Sequence, residues 1–156
     1  MSTSAIQDLY PDDLAHCFGC GRNNPHGHKL KSYVEGEDVV ARFTPEHHYA
    51  SIPGFVYGGL LASLADCHAT ATATAADLTL LHSSDGPAPR YVTASLRVDY
   101  LKPTPLGVKL EVRGRVKEQS TRKKAVEVTI DADGTTTVRA DVVAVRMPKE
   151  MEQPPR

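Results

Sequence analysis

The sequence predicts an α+β domain in which a curved antiparallel sheet wraps around one long central helix. Three observations carry that expectation. The stretch from Gly58 to Leu81 is dense in Ala and Leu, with no Pro, no Gly after Gly59 and no Lys, Arg or Glu. It therefore reads as a helix enclosed on nearly every side. Beyond it lie several runs in which apolar and polar residues alternate at period two, as in strands with one buried and one solvated face. Finally, 156 residues suit one domain, large enough for a real core and too short for two.

The elements follow in order. Residues 1–29 are polar and irregular and read as a lead-in segment, with one short helix over Ile6 to Ala15 interrupted near Pro11. Two short strands, Leu30 to Val34 and Val39 to Phe43, flank the turn-like cluster Glu35-Gly36-Glu37-Asp38. Pro45 to Val56 is a loop. In the helix, Leu60, Leu61, Leu64 and Leu78, with Ala71 and Ala75, share one face, and Ala62, Ser63, Ala69, Thr70 and Ala73 make a small-residue face opposite. Thr70, Thr72 and Thr74 lower its intrinsic propensity, so tertiary packing must hold it. After a loop from His82 to Pro89, Val92, Ala94, Leu96, Val98 and Tyr100 alternate with Thr93, Ser95, Arg97 and Asp99. Pro103 to Gly107 turns into a strand built on Val108, Leu110, Val112 and Val116, where Gly114 suggests a bulge or bend. Val126, Val128 and Ile130 mark the next strand, Asp133-Gly134 a hairpin turn, and Thr135 to Arg146 the last strand. The polar tail, 148–156, is expected to fray. Residues 30–147 thus form the sheet-around-helix arrangement called the hotdog fold, with the long helix as the filling.

Composition excludes several functions. Lys and Arg number 18 against 19 Asp and Glu, a net charge of −1, unlike a strongly basic nucleic-acid binder. No apolar run reaches the roughly 18 residues of a membrane span, and the N-terminus has no secretory signal pattern. Three cysteines cannot all pair internally, which fits the reducing cytoplasm.

The chemistry centres on one carboxylate. Asp66 and Asp77 are the only charged residues between His47 and Ser84. Asp77, near the helix C-terminus, opposes the macrodipole and is expected to be exposed. Asp66 lies about two turns into the helix on the small-residue face, where a carboxylate must be paired, hydrated or functional. It is either hydrogen-bonded across a subunit interface or a general base or nucleophile beside a bound electrophile. At the helix start, Gly58 and Gly59 permit close approach to the backbone, and their N–H groups are among the donors left unpaired there. Such donors polarise a carbonyl and bind the oxyanion formed on attack, although a packing need for Gly explains the pair equally well.

The segment Val56-Tyr57-Gly58-Gly59-Leu60-Leu61-Ala62-Ser63-Leu64-Ala65-Asp66 resembles the His-Gly-Gly…Asp motif of hotdog-fold acyl-CoA thioesterases, the group related to the phenylacetate-pathway (PaaI-like) thioesterase. Tyr100-Leu101-Lys102-Pro103 followed by Gly107 resembles that group's strand-and-turn segment. Cys17-Phe18-Gly19-Cys20-Gly21 with Asn24-Pro25-His26-Gly27 resembles the lead-in of a subset. The resemblance implies hydrolysis of acyl-CoA to free acid and coenzyme A, with no cofactor beyond the coenzyme A of the substrate. It implies Asp66 as the catalytic carboxylate, Gly58 as the N–H that polarises the carbonyl, and Thr93 as a hydroxyl that positions water. Thr93, however, has the strand parity opposite to Leu96 and Val98 and is expected to face away from the helix. Two positions depart from the pattern: Tyr57 replaces the usual His, and Ser51 stands where relatives often carry Asn. Both keep hydrogen-bonding capacity. With Gly59 they are expected to contact substrate. A non-catalytic acyl-CoA binding protein and an enoyl-CoA hydratase are the alternative readings, the second needing an acid/base pair that Asp66 and His68 cannot form on one helix face.

The remaining constellations are less defined. Arg122-Lys123-Lys124 is either a solvated turn or a cluster for the coenzyme A phosphates, with Arg90 a second candidate. Cys17 and Cys20 with His16, His26 and His28 offer zinc-ligand types, but the short Cys20–His26 spacing is not that of a finger. A structural loop without metal is expected. Cys67 reads as a packing cysteine and His68 as a satisfied core histidine, while His47 and His48 border a pocket without a defined partner. The small-residue face that carries Asp66, which one copy's sheet is not expected to cover together with the Leu face, predicts a homodimer, or a dimer of dimers.

Overall fold

Two short strands, β1 (Ser32–Glu35) and β2 (Asp38–Phe43), precede the helix α1 (Gly58–Leu81), and four long strands follow it. These are β3 (Tyr91–Tyr100), β4 (Leu110–Gln119), β5 (Lys123–Ala132) and β6 (Thr135–Arg146). All six form one antiparallel sheet in the order β1-β2-β4-β5-β6-β3, and α1 packs against every strand. The computed structural model describes residues 4–81, 87–153 and 155, with the backbone alone for 79–81, so most of the expected loop after His82 lies outside the described residues. The predicted hotdog architecture is the observed one. No helix among the described residues is long and apolar enough to cross a membrane.

Alternation decides which side of the sheet meets the helix. Val112, Val126, Val128, Ile130, Val138, Ala140 and Val142 are all at most 2% exposed and pack with Leu60, Leu61 and Leu64 in the main core. The opposite face carries solvated ion pairs such as Arg42–Glu35 and Arg115–Asp38. The absence of Lys, Arg and Glu from α1 is explained by this enclosure. Its buried threonines bond the preceding turn: Thr72 Oγ1 donates to His68 O at 2.8 Å and Thr74 Oγ1 to Thr70 O at 3.2 Å.

Two local expectations change. Gly114 does not mark a bulge; it pairs in unbroken register with Val39 and Val128. A Cβ there would meet Thr72 Oγ1 at 2.1 Å and His68 Cδ2 at 3.1 Å, so glycine is what lets the helix lie this close to the sheet. The expected lead-in helix is two 3-10 turns, Ile6–Leu9 and Asp12–Leu14, on either side of Pro11. This polar-looking segment enters the core: Ile6 and Tyr10 join Ala71, Ala75 and Leu78 in a second cluster on the far half of α1. The tail carries a short exposed 3-10 turn, Lys149–Met151.

His68 is the satisfied core histidine expected from sequence. It is fully buried; its Nε2–H donates to Val39 O at 2.9 Å, so Nδ1 accepts from Ser32 Oγ at 2.9 Å. Ser32 is held in turn by the Gln7 side chain at 2.9 and 2.8 Å, which ties lead-in, β1, β2 and α1 together. Burial pushes the imidazole down to about 4, the Val39 hydrogen bond opposing. Because the folded value lies below the unfolded one of about 6.5, the unfolded chain binds more protons between them. The stability that neutral His68 contributes is therefore intact above pH 6.5 and is lost as pH falls towards 4, by up to about 3 kcal/mol. Urea unfolding at pH 7, 5.5 and 4.5 should show this loss in the wild type and a flatter dependence in His68→Gln; an equal slope in both would exclude the role.

Candidate active site

The loop before α1 is fastened at both ends. Val56 N–H donates to Thr104 O at 2.9 Å and Tyr57 N–H to Tyr49 O at 2.9 Å, and Phe55 bridges to Pro105. These bonds aim the first turn of α1 at the β3–β4 connection. Gly58 is the first helical residue, so its N–H has no acceptor within the helix. Tyr100 OH donates to Gly58 O at 2.8 Å, and a Cβ on Gly58 would meet that hydroxyl at 3.0 Å. On Gly59 a Cβ would meet the Tyr57 ring at 2.3 Å. Both glycines thus sit under tyrosines, so tight packing and close approach of a ligand call for glycine at the same atoms. Beside them opens an apolar groove of about 500 Å³ lined by Ser51, Ile52, Phe55, Gly58, Tyr100 and Leu101. Ile52, Phe55, Tyr57 and Leu101 are 41–69% exposed, an unusual concentration of large apolar side chains at a surface.

Asp66 lies two turns further on, half-buried like Ala62 and Ser63. Thr93 Oγ1 donates a hydrogen bond to Asp66 Oδ1. The parity expectation for Thr93 is therefore overturned. Thr93 pairs with Ala144 and Ser95 with Val143, so Ala94 is an extra residue, and this bulge shifts the alternation by one. Thr93 consequently shares the helix-facing side with Leu96 and Val98, whose partners Val142 and Ala140 are core residues.

Asp77 is not exposed. It is 8% accessible and receives Tyr91 OH at 2.7 Å, Lys124 Nζ at 2.8 Å and Arg146 Nη2 at 2.8 Å. Burial opposes its ionisation, but these three donors outweigh it and hold the carboxyl below the ordinary range. Lys124, at 2% exposure, is the buried partner of this pair and is withdrawn from the basic cluster; a phosphate in solvent cannot reach it. Arg122 and Lys123 are exposed at the β4–β5 turn. Arg90 stacks 4.5 Å above the Tyr10 ring and donates to Tyr91 O at 3.1 Å. His47 and His48 form an exposed turn, with His48 3.8 Å from Glu46.

The sequence reading missed one convergence. Cys67, on α1, meets Cys17 and Cys20 of the lead-in, with all three Sγ atoms within 4.8 Å of one another. Hydrogen bonds from the Cys20 and Cys67 thiols hold Cys17 far below its ordinary value, while Cys20 is pushed up to about 11 and Cys67 well above normal. His16 and His26 are exposed, and His28 Nδ1 pairs with Tyr49 OH at 2.8 Å. A contact spanning 50 residues left no local signal. Tyr100 was legible only as a strand residue.

The chain belongs to the thioesterase superfamily, whose family model matches residues 53–139, from the pre-helix loop through most of the sheet. A thioesterase superfamily protein from Shewanella loihica PV-4 is 44% identical; its structure matches with a TM-score of 0.68 over 88% of this chain and 98% of that one. Mouse (Mus musculus) acyl-coenzyme A thioesterase THEM4 is 30% identical over 116 residues, 74% of this chain and 45% of that protein. The chain thus spans about half the length of the curated relatives it matches. The E. coli PaaI protein of the phenylacetic acid degradation operon shares the fold, with a TM-score of 0.64 at 16% identity over 78% of this chain and 81% of that one.

Proposed function

We propose that this chain hydrolyses acyl-CoA thioesters, with Asp66 as general base or nucleophile and the Gly58 N–H polarising the carbonyl. The observation that carries the reading is the Thr93–Asp66 hydrogen bond, which fixes a half-buried carboxylate at the edge of the sheet. Thr93 occupies Oδ1 and leaves Oδ2 to act. As a base, Asp66 takes a proton from water as its oxygen attacks the thioester carbon; the C–S bond then breaks, the proton passes to the departing thiolate, and free acid and coenzyme A result. As a nucleophile, it attacks the thioester carbon and displaces the coenzyme A thiolate, giving an acyl anhydride that water cleaves to the free acid and the restored carboxylate, the released proton going to the thiolate. The helix N-terminus stabilises the oxyanion in either case. No cofactor is required.

Eight residues separate Gly58 from Asp66, about 12 Å along a helix, so the two cannot serve one carbonyl within one copy. The site is therefore built by a homodimer. β3 ends the sheet, and its outward hydrogen-bonding groups and 39%-exposed Leu96 suit pairing with a second copy. That pairing would bring the partner's helix N-terminus towards Asp66 and cover half-buried Ala62 and Ser63; the rest of the small-residue face, Ala69, Thr70 and Ala73, is already buried within one copy, contrary to the sequence expectation. Ser51, Tyr57 and Gly59 then contact the acyl end in the apolar groove, while Arg122 and Lys123, with Arg90 where its stacking permits, supply positive charge for the phosphates. Assembly of two dimers would cover the exposed groove residues further. The three free thiols suit the cytoplasm. His68 is committed to the core, which removes the imidazole that a hydratase reading needs.

A screen of short, medium, branched and aromatic acyl-CoAs for release of free thiol tests the proposal. Saturable release from at least one class is expected. Saturable binding with no thiol released from any class would replace it with the non-catalytic binding reading.

A further inference from the structure

We infer that Cys17, Cys20 and Cys67 form a thiolate site for a soft divalent metal ion of the zinc type, clipping the lead-in segment to α1. The inference does not depend on the hydrolase reading. Cys17-Phe18-Gly19-Cys20-Gly21 curls into a tight loop, in which Gly21 N–H donates to Cys17 O at 2.7 Å. Two glycines make this possible. A Cβ on Gly21 would meet Cys17 N at 2.4 Å, and one on Gly19 would meet Cys67 Sγ at 2.3 Å. The loop thus presents two sulfurs in the direction from which the helix supplies a third.

The spacing suits coordination. Cys17 and Cys67 Sγ stand 3.8 Å apart, and tetrahedral sulfurs about 2.3 Å from zinc lie about 3.8 Å from one another. A disulfide would bring two of them to about 2.05 Å and strand the third. All three cysteines are free, and sulfur donors select zinc, copper(I) or iron–sulfur chemistry over magnesium or calcium. Three thiolates around a divalent ion leave a net charge of −1. The fourth tetrahedral position falls to water or another small ligand. Cys67 adjoins Asp66 in sequence, so the clip fixes the helix turn that carries the carboxylate.

The test is a titration of the reduced full-length chain with Co²⁺ after chelator treatment, followed by competition with Zn²⁺. Expected are about one equivalent bound, a near-ultraviolet sulfur-to-cobalt charge-transfer band whose intensity corresponds to three thiolates, visible bands of a tetrahedral ion, and displacement of all of these by Zn²⁺. Cys67→Ser and Cys20→Ser should each weaken the band, while a His16→Ala/His26→Ala double variant should keep it. No charge-transfer band in the folded wild type would overturn the site, as would a band unaffected by both cysteine variants. Should either variant fail to fold, the wild-type band intensity still separates three sulfurs from none. A chain that takes up no Co²⁺ when reduced and is found 2 Da lighter when handled in air would show a disulfide-forming pair instead.

Discussion

Replacing Asp66 by Asn is expected to lower thioester turnover by about 10²–10⁴-fold, the range typical for loss of a positioned base. Asn keeps the shape of the side chain and still accepts the Thr93 hydroxyl through its carbonyl oxygen, so the melting temperature should change little and product binding should persist. What disappears is the negative charge that takes the proton or attacks the carbonyl. Thr93→Val should cost less, about 10-fold, because it frees the carboxylate from its hydrogen bond without removing it. Steady-state kinetics on the best thioester from the screen, with thermal melts alongside, provide the check. An Asp66→Asn protein that retains turnover within a few-fold of wild type would leave this carboxylate as an interface residue only.

Loss of the other helix carboxylate acts on the fold. Asp77→Ala leaves the Lys124 ammonium, buried at 2% exposure, without its counter-charge and with only the Gln119 Oε1 hydrogen bond at 3.2 Å, and removes the acceptor of the Tyr91 hydroxyl. Breaking a buried pair from one side costs about 3–5 kcal/mol, a fall of roughly 10 °C or more in melting temperature for a chain of this size. Replacing both partners together, Asp77→Leu with Lys124→Met, should recover much of the loss, since neither charge then remains uncompensated. The depressed carboxyl of Asp77 gives stability that is present at neutral pH and lost as pH falls through its folded value. Urea unfolding of the single and double variants measures the coupling; a change below about 1 kcal/mol for Asp77→Ala would show the pair to be energetically idle.

The fold was legible because its two periods are written cleanly. The helix bounds Gly58 and Leu81 and the last strand's bounds Thr135 and Arg146 are those read from the pattern. Asp133 and Gly134, at φ 49° and 76°, make the tight hairpin turn their residue types require. The failures share a cause: each depended on a partner distant in sequence. Asp77 looked exposed because its position on the helix was unfavourable, and only β5 and β6 supply the cations that reverse the balance. Lys124 looked like one of three surface cations, although its neighbours on both sides in the strand alternation predict a different face from Lys123. Thr93 was read with the wrong parity because a single inserted residue in an edge strand leaves no mark in composition. For the site, the isolated carboxylate, the glycine pair and Tyr57 were visible at once, whereas the Tyr100 hydroxyl on Gly58 O and the meeting of Cys67 with Cys17 and Cys20 required the folded chain.

The lead-in segment has a consequence for how the chain is made. Its fastenings reach forward in sequence: Gln7 to Ser32 over 25 residues, Cys17 to Cys67 over 50, and Tyr10 to Thr74 over 64. On the ribosome, residues 5–20 emerge well before the helix that receives them, and closing such long loops is slow compared with local turns. The segment synthesised earlier than the helix is thus anchored later. Until α1 is complete, Ile6 and Tyr10 are exposed apolar side chains on a tethered strand of nascent chain, and the lead-in docks as a late step that seals the far half of the helix.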